Sequence, residues 1–279
     1  MIYLITAFYP EAKALIDYFG LKKLYEPSKF QIFSGDEILL IVSGEGILQA
    51  AIATTFALTK FGTSDKCIAL NVGICGAKKK DLSKGDVLLC NKIINHHSKR
   101  TFYPDILITH QMKEVSLETF LFPVKKDTFT GEIEGDIVDM EGAGFFEAAL
   151  SFLAPHNVHC IKIVYDFLEY EKIEPQEVTN LVKQSIPFIE NFINTLVDLN
   201  LEFCTNMIEE EKLREVIEKL KSSLRLTTSM TYQLEKLLKS YIIRHENLPE
   251  DISEFFNINV NSKKEGKQYF EKLKKLFIS

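Results

Sequence analysis

The stretch Asp136-Ile137-Val138-Asp139-Met140-Glu141-Gly142-Ala143-Gly144 decides how the chain is read. Its apolar entry has strand character, and its small residues open a helix directly after a Met-Glu pair. Glu141 is therefore delivered half-buried between a strand and a helix start, where an unpaired charge costs several kcal/mol. It needs a structural partner or a chemical task. Asp139 is expected to alternate away from the core, and Met140 by residue type alone reads as core.

The same strand, turn and helix succession recurs along the chain. Ile2 to Phe8 reads as a buried strand, and Pro10 suits the first turn of a helix with Ala12, Leu15, Ile16 and Phe19 on one face. Phe30 to Phe33 and Ile38 to Val42 form a hairpin around Gly35-Asp36. Ser43-Gly44-Glu45-Gly46 then opens a helix from Ile47 to Phe61. Cys67 to Val72 is a strand ending in Gly73-Ile74-Cys75-Gly76, and Gly85-Asp86-Val87 introduces another through Ile94. Lys78, Lys79 and Lys80 read as a solvated turn. Between Asn95 and Gly135 the pattern is weak, with a helix expected over Lys113 to Phe120. Beyond it come a helix from Glu141 to Leu153, a strand from His159 to Tyr165 and a helix from Pro175 to Leu199. Alternation of this kind predicts an α/β fold with a mixed, largely parallel central sheet flanked by helices.

From Leu201 onward no strand is expected. Amphipathic helices follow, the first with Leu213, Val216, Ile217, Leu220 and Leu224 on one stripe, later ones around Leu234 to Ile242 and Tyr269 to Leu276. The reading is thus an α/β domain over 1–200 and an all-α appendage over 201–279. Lys and Arg number 14 against 13 Asp and Glu in the appendage, but 19 against 26 in the front domain. The acidity belongs to the front.

A net charge of −6 speaks against a dedicated nucleic-acid binder. Five cysteines without a C-x-x-C pair fit reduced thiols in a cytoplasmic protein rather than a disulfide scaffold or zinc site. The N-terminus lacks the basic region of a secretory leader, and no uncharged run is long enough to span a bilayer. His96-His97, without a carboxylate or Cys at ligand spacing, reads as surface, and no metal or other cofactor is expected.

In an open α/β sheet, ligands bind beyond the carboxyl ends of the strands. Glu11, Gly44 to Gly46, Gly73 to Gly76, Glu141 and Asp166 all fall there. Each has a structural reading as well: Glu11 favours a helix dipole, and Asp166 can cap a turn. The glycine turns complete neither a dinucleotide fingerprint nor a P-loop. Three carboxylates in distinct environments can divide acid and base roles, as cleavage of a glycosidic bond through an oxocarbenium-like state requires.

These motifs resemble those of the 5′-methylthioadenosine/S-adenosylhomocysteine nucleosidases, within the purine nucleoside phosphorylase-like superfamily. The resemblance covers residues 1–200. It rests on Leu4 to Ala7 followed by Glu11, Val42 to Gly46, Asn71 to Gly76, Gly85 to Val87, Val138 to Ala143 and Ile161 to Asp166, in that order. It implies that Glu11 activates a water, that Asp166 protonates the purine leaving group, and that Glu141 holds a ribose hydroxyl while Met140 packs on the sugar. Gly44, Gly73 and Ile74 would line the substrate site, and Phe129, within Asp127-Thr128-Phe129, is the candidate to stack on the base.

The resemblance has departures: Lys162 stands where the family has an Arg, Tyr165 where it has a Ser, and Glu45 adds a charge between two glycines. The arginine with which the phosphorylase branch holds phosphate is absent, which favours water as nucleophile. The expected function is hydrolysis of the N-glycosidic bond of a purine nucleoside or a derivative. Phosphorolysis is one alternative, and a nucleoside-binding or partner-binding module is the other. A small-molecule nucleoside is the expected partner, with no nucleic acid and no membrane. The resemblance implies a homodimer, and the helical tail is a second surface for a protein partner.

Overall fold

The computed structural model describes residues 1–78, 81–169, 173–245, 247–258, 260 and 262–277, and of 203–210, 243–245 and 250 the backbone alone. Lys79 and Lys80, expected in a solvated turn, and the side chain of Cys204 lie outside the described residues. Strand β1 (Ile2–Thr6) is buried at every position, as an unbroken apolar run covered on both faces must be. It leads into α1 (Tyr9–Phe19), β2 (Lys22–Leu24), β3 (Gln31–Ser34), β4 (Ile38–Val42), α2 (Ile47–Phe61) and the long β5 (Ile68–Ala77). Then come β6 (Val87–Asn95), β7 (Thr101–Phe102), β8 (Lys113–Thr119), β9 (Ile137–Asp139), α3 (Gly142–Ala149) and β10 (Val158–Asp166). Helices α4 (Pro175–Ser223), α5 (Thr228–His245) and α6 (Lys263–Lys275) complete the described elements.

The sheet is mixed and closes on itself. β10, β5, β1 and β4 lie side by side and parallel. One edge of β5 carries β1 against Ile68 to Asn71 and then β9 against Gly76 and Ala77. From β9 the pairing passes through β8 and β6 to β10 and so back to β5, a ring of five strands. The sheet is mixed as expected rather than purely parallel: β9 pairs antiparallel with β5 and β6 with β10, and β2 and β3 extend the other end as antiparallel strands. Sequence alternation reveals strand and helix order, but not which edges meet.

The helix expected over Lys113 to Phe120 is instead strand β8. Val115, Leu117 and Thr119 are buried at the period of two that a strand imposes. Glu114, Ser116 and Glu118 alternate with the apolar residues in the sequence, and Glu118 is buried as well. Helix α3 is shorter than expected and crosses α2 closely. A Cβ on Gly144 would lie 2.1 Å from the Ile47 carbonyl oxygen, so only glycine admits this approach.

The described chain divides into two compact units, Met1–Leu201 and Glu202–Ser279. The helix expected to end near Leu199 continues as α4 to Ser223, and the first amphipathic stripe of the tail is its last part. No Gly or Pro occurs between Phe188 and Ser223 to stop it. The second unit has its own core, with Leu220, Leu224, Leu234, Leu238, Phe270, Leu273 and Phe277 all buried. Its α6 is capped by Ser262 Oγ, which accepts the Glu265 N–H at 3.2 Å. No described helix is long and apolar enough to cross a membrane.

Candidate active site

Beyond the carboxyl ends of β1, β5 and β10 lies a cavity of about 250 Å³. Ile74, Met140, Glu141 and Asp166 are on its wall, together with Phe8, Glu45 and Tyr165. They arrive from β5, from the β9–α3 junction, from the end of β10 and from the turns that open α1 and α2. This is where a doubly covered sheet concentrates its ligand-binding groups.

Glu11 sits just behind that wall, buried in the first turn of α1. Its Oε2 accepts the Ala7 and Phe8 N–H groups at 2.9 and 3.0 Å, and its Oε1 accepts the Ile74 N–H at 2.8 Å. The side chain thus caps its own helix and ties β1 to β5 at once. Burial pushes its pKa up, and the three backbone donors and nearby Lys162 oppose that shift. Oε1 lies 2.7 Å from where a Cβ on residue 73 would be, which explains Gly73. Gly73 and Gly44 are off the cavity wall. Gly44, at φ +85°, donates its N–H to the Ala7 carbonyl at 3.2 Å and holds the loop that carries Glu45.

Glu141 is 7% exposed and already has a partner without any ligand: its Oε1 accepts the Gly46 N–H at 2.7 Å. Burial, and next Asp139, raise its pKa to about 8 despite Lys162 and Gly46. Asp139 does not alternate away from the core. Both faces of β9 are covered, and the Asp139 carboxylate accepts from Thr119 Oγ1 and from the Gly142 N–H, both at 2.7 Å. It also pairs with Lys162 Nζ at 2.7 Å, both side chains being 1% exposed. Burial alone would lower the Lys162 pKa, but Asp139, Cys160 and Glu141 together outweigh it and hold the lysine charged. One buried cation thus stands against Glu11, Asp139 and Glu141.

Asp166 closes the far side, its Oδ1 accepting the Leu168 N–H at 2.8 Å. Leu168 adopts φ +64°, so this turn is held by the aspartate and its surroundings. Its neighbour Tyr165 is buried, with its hydroxyl accepting the Glu174 N–H at 2.9 Å and its ring 4.5 Å from Lys84 Nζ. Among the described residues no group of His, Cys, Asp and Glu is placed to hold a metal ion.

Residues 2–121 match the family model described as the phosphorylase superfamily. The 5′-methylthioadenosine/S-adenosylhomocysteine nucleosidase of Staphylococcus epidermidis is 34% identical over 67 residues, 24% of this chain and 28% of that protein. Its counterpart in Staphylococcus haemolyticus is 36% identical over the same length and coverage. The chain therefore spans little more than a quarter of these curated relatives. In three dimensions it is similar to the Helicobacter pylori nucleosidase of that name in complex with butyl-thio-DADMe-Immucillin-A, with a TM-score of 0.58, 17% identity, and 69% of this chain and 97% of that one covered. Futalosine hydrolase of the same organism is similar to the same degree, with a TM-score of 0.58, 17% identity and the same coverage of both chains. At such identities the structural likeness speaks for the fold.

The match to the phosphorylase superfamily lies in the front domain and covers less than half of the chain, and the similarity to the curated nucleosidases is confined to 67 residues. The expected stacking residue, Phe129, is not on the cavity wall. Phe129 lines a second cavity of about 840 Å³, edge-on to Phe120 at 5.4 Å between ring centres. Leu168 stands between the two cavities, contributing to both walls. Phe122, exposed and followed by Pro123, is on the wall of the first cavity instead. Sequence reasoning missed it because the helix expected over Lys113 to Phe120 hid the strand end at Thr119 that places it. Lys162 was visible only as an exchange for Arg, with no signal that Asp139 would be its partner.

Proposed function

We propose that the front domain hydrolyses the N-glycosidic bond of a purine nucleoside or a modified derivative. The observation that carries this reading is the convergence of Glu141 and Asp166 on one cavity, with Glu11 one backbone amide behind it. Glu11, made more basic by its burial, draws a proton from the attacking water. Asp166 protonates the departing purine, which leaves poorly as an anion. Glu141 receives the ribose hydroxyls beside its Gly46 N–H, Met140 packs on the sugar, and Phe122 covers the base. The names of the relatives support this, as does a Helicobacter pylori neighbour described with 5′-methylthioadenosine in its active site.

Hydrolysis is favoured over phosphorolysis because the described wall carries acids and no lysine, arginine or histidine to receive phosphate. The test is release of free base from adenosine and 5′-methylthioadenosine with and without phosphate. Phosphate-independent release is expected, reduced about 10²–10⁴-fold in Glu11→Gln and in Asp166→Asn. A strict phosphate requirement would replace hydrolysis with phosphorolysis. Thermal stabilisation by nucleosides without turnover would make the domain a binding module.

A further inference from the structure

The four parallel strand ends beneath the cavity form a row, β10, β5, β1, β4. Asp166 ends β10 at one side, and Glu45 follows β4 at the other. Neighbouring strands lie about 4.8 Å apart, so the row separates the two acids by roughly 14 Å. Glu141 Oε1 accepts the Gly46 N–H, in the same loop as Glu45. A ribose has three corners: the base, the diol and the 5′ arm. With Asp166 assigned to the base and Glu141 to the diol, Phe8 and Glu45 are on the part of the wall left for the 5′ arm.

The charges on this wall are of one sign. Glu45, Asp139, Glu141 and Asp166 line it, with no basic side chain among the described residues. Asp139 is neutralised by Lys162, and Glu141 and Asp166 have tasks in the proposed reaction. Glu45 is exposed on the wall and takes no part in it. We infer that Glu45 selects nucleosides whose extended 5′ arm carries a positive charge, such as an ammonium, and rejects anionic arms. This rests on the hydrolase reading for its orientation of the sugar. It concerns a residue at which the chain departs from the family it resembles.

Three probes separate the possibilities: 5′-S-(2-aminoethyl)-5′-thioadenosine, its neutral isostere 5′-S-propyl-5′-thioadenosine, and the anionic 5′-S-(carboxymethyl)-5′-thioadenosine. The wild-type chain is expected to show kcat/KM about three- to fivefold higher for the ammonium compound than for the propyl compound, with the carboxylate lowest. The ratio should fall to about one in Glu45→Gln and invert toward the carboxylate in Glu45→Lys. A wild-type ratio near one, or one that persists in both variants, overturns the inference while leaving the hydrolase reading intact. If no probe releases base, the same order read as thermal stabilisation upholds the role of Glu45 and overturns the hydrolase. No preference in either readout overturns the inference.

Discussion

Two buried carboxylates on either side of β9 have opposite environments. Glu118, on β8, is 1% exposed and saturated: His96 Nδ1 lies 2.6 Å from one oxygen, and the Glu134 and Gly135 N–H groups donate to the other. Burial pushes its pKa up, but His96 and the two backbone donors outweigh that and hold it below the usual range. Glu141 is similarly buried but receives a single described N–H, and its pKa rises to about 8. Similar burial with unequal satisfaction separates a carboxylate that builds the fold from the one proposed to receive the ribose.

The largest expected effect removes the cation that lets both regions coexist. Lys162→Met leaves Asp139 buried without its charge partner and should cost about 3–5 kcal/mol in urea unfolding. A loss under 1 kcal/mol would mean that the Thr119 and Gly142 donors suffice for Asp139. Glu118→Gln should cost about 1–3 kcal/mol at pH 7. Because the folded-state pKa of Glu118 is lowered, its contribution is present above the unfolded carboxylate pKa and lost as pH falls through the folded one. The gap between wild type and variant should therefore narrow in acid.

Glu141→Gln should act in the opposite direction. The folded state holds a proton on Glu141 up to about pH 8 that the unfolded chain releases near pH 4.5, so wild-type stability falls across that window. The variant should gain on the order of 1–3 kcal/mol over wild type at pH 8.5 and almost nothing at pH 4, while losing nucleoside affinity. Equal melting curves for the two proteins at pH 8.5 would contradict the contrast with Glu118. The smallest effects concern the two aromatics. Phe122→Ala should raise KM several-fold with an unchanged Tm, whereas Phe129→Ala should lower stability by about 1 kcal/mol with an unchanged KM. The reverse pattern would return the stacking role to Phe129.

Glu11, Glu141 and Asp166 were legible because each follows an apolar strand at a turn, and strand-end placement is a local property. Phe122 was not, since its position depends on β8 being a strand rather than the helix expected there. Asp139 was misread for a related reason. Alternation assigns a polar residue to solvent, yet in a closed ring both faces of a strand can be covered, and a lysine on β10 can supply the missing charge. The continuation of α4 to Ser223 shows the limit on domain boundaries, because a change of composition near Leu201 need not interrupt a helix that lacks Gly or Pro.

The sequence by itself determined the alternation of strands and helices, the glycines that let the backbone approach Glu11 and Ile47, and the family resemblance through Met140-Glu141. Periodicity and steric demand are short-range, and they are written locally. Only the tertiary structure decided that β9 closes a ring through β5, that Lys162 serves Asp139 and thereby leaves Glu141 under-satisfied, and that Phe122 rather than Phe129 stands at the cavity. Those outcomes depend on which distant groups share a low-dielectric interior, where one charge sets the protonation of its neighbours.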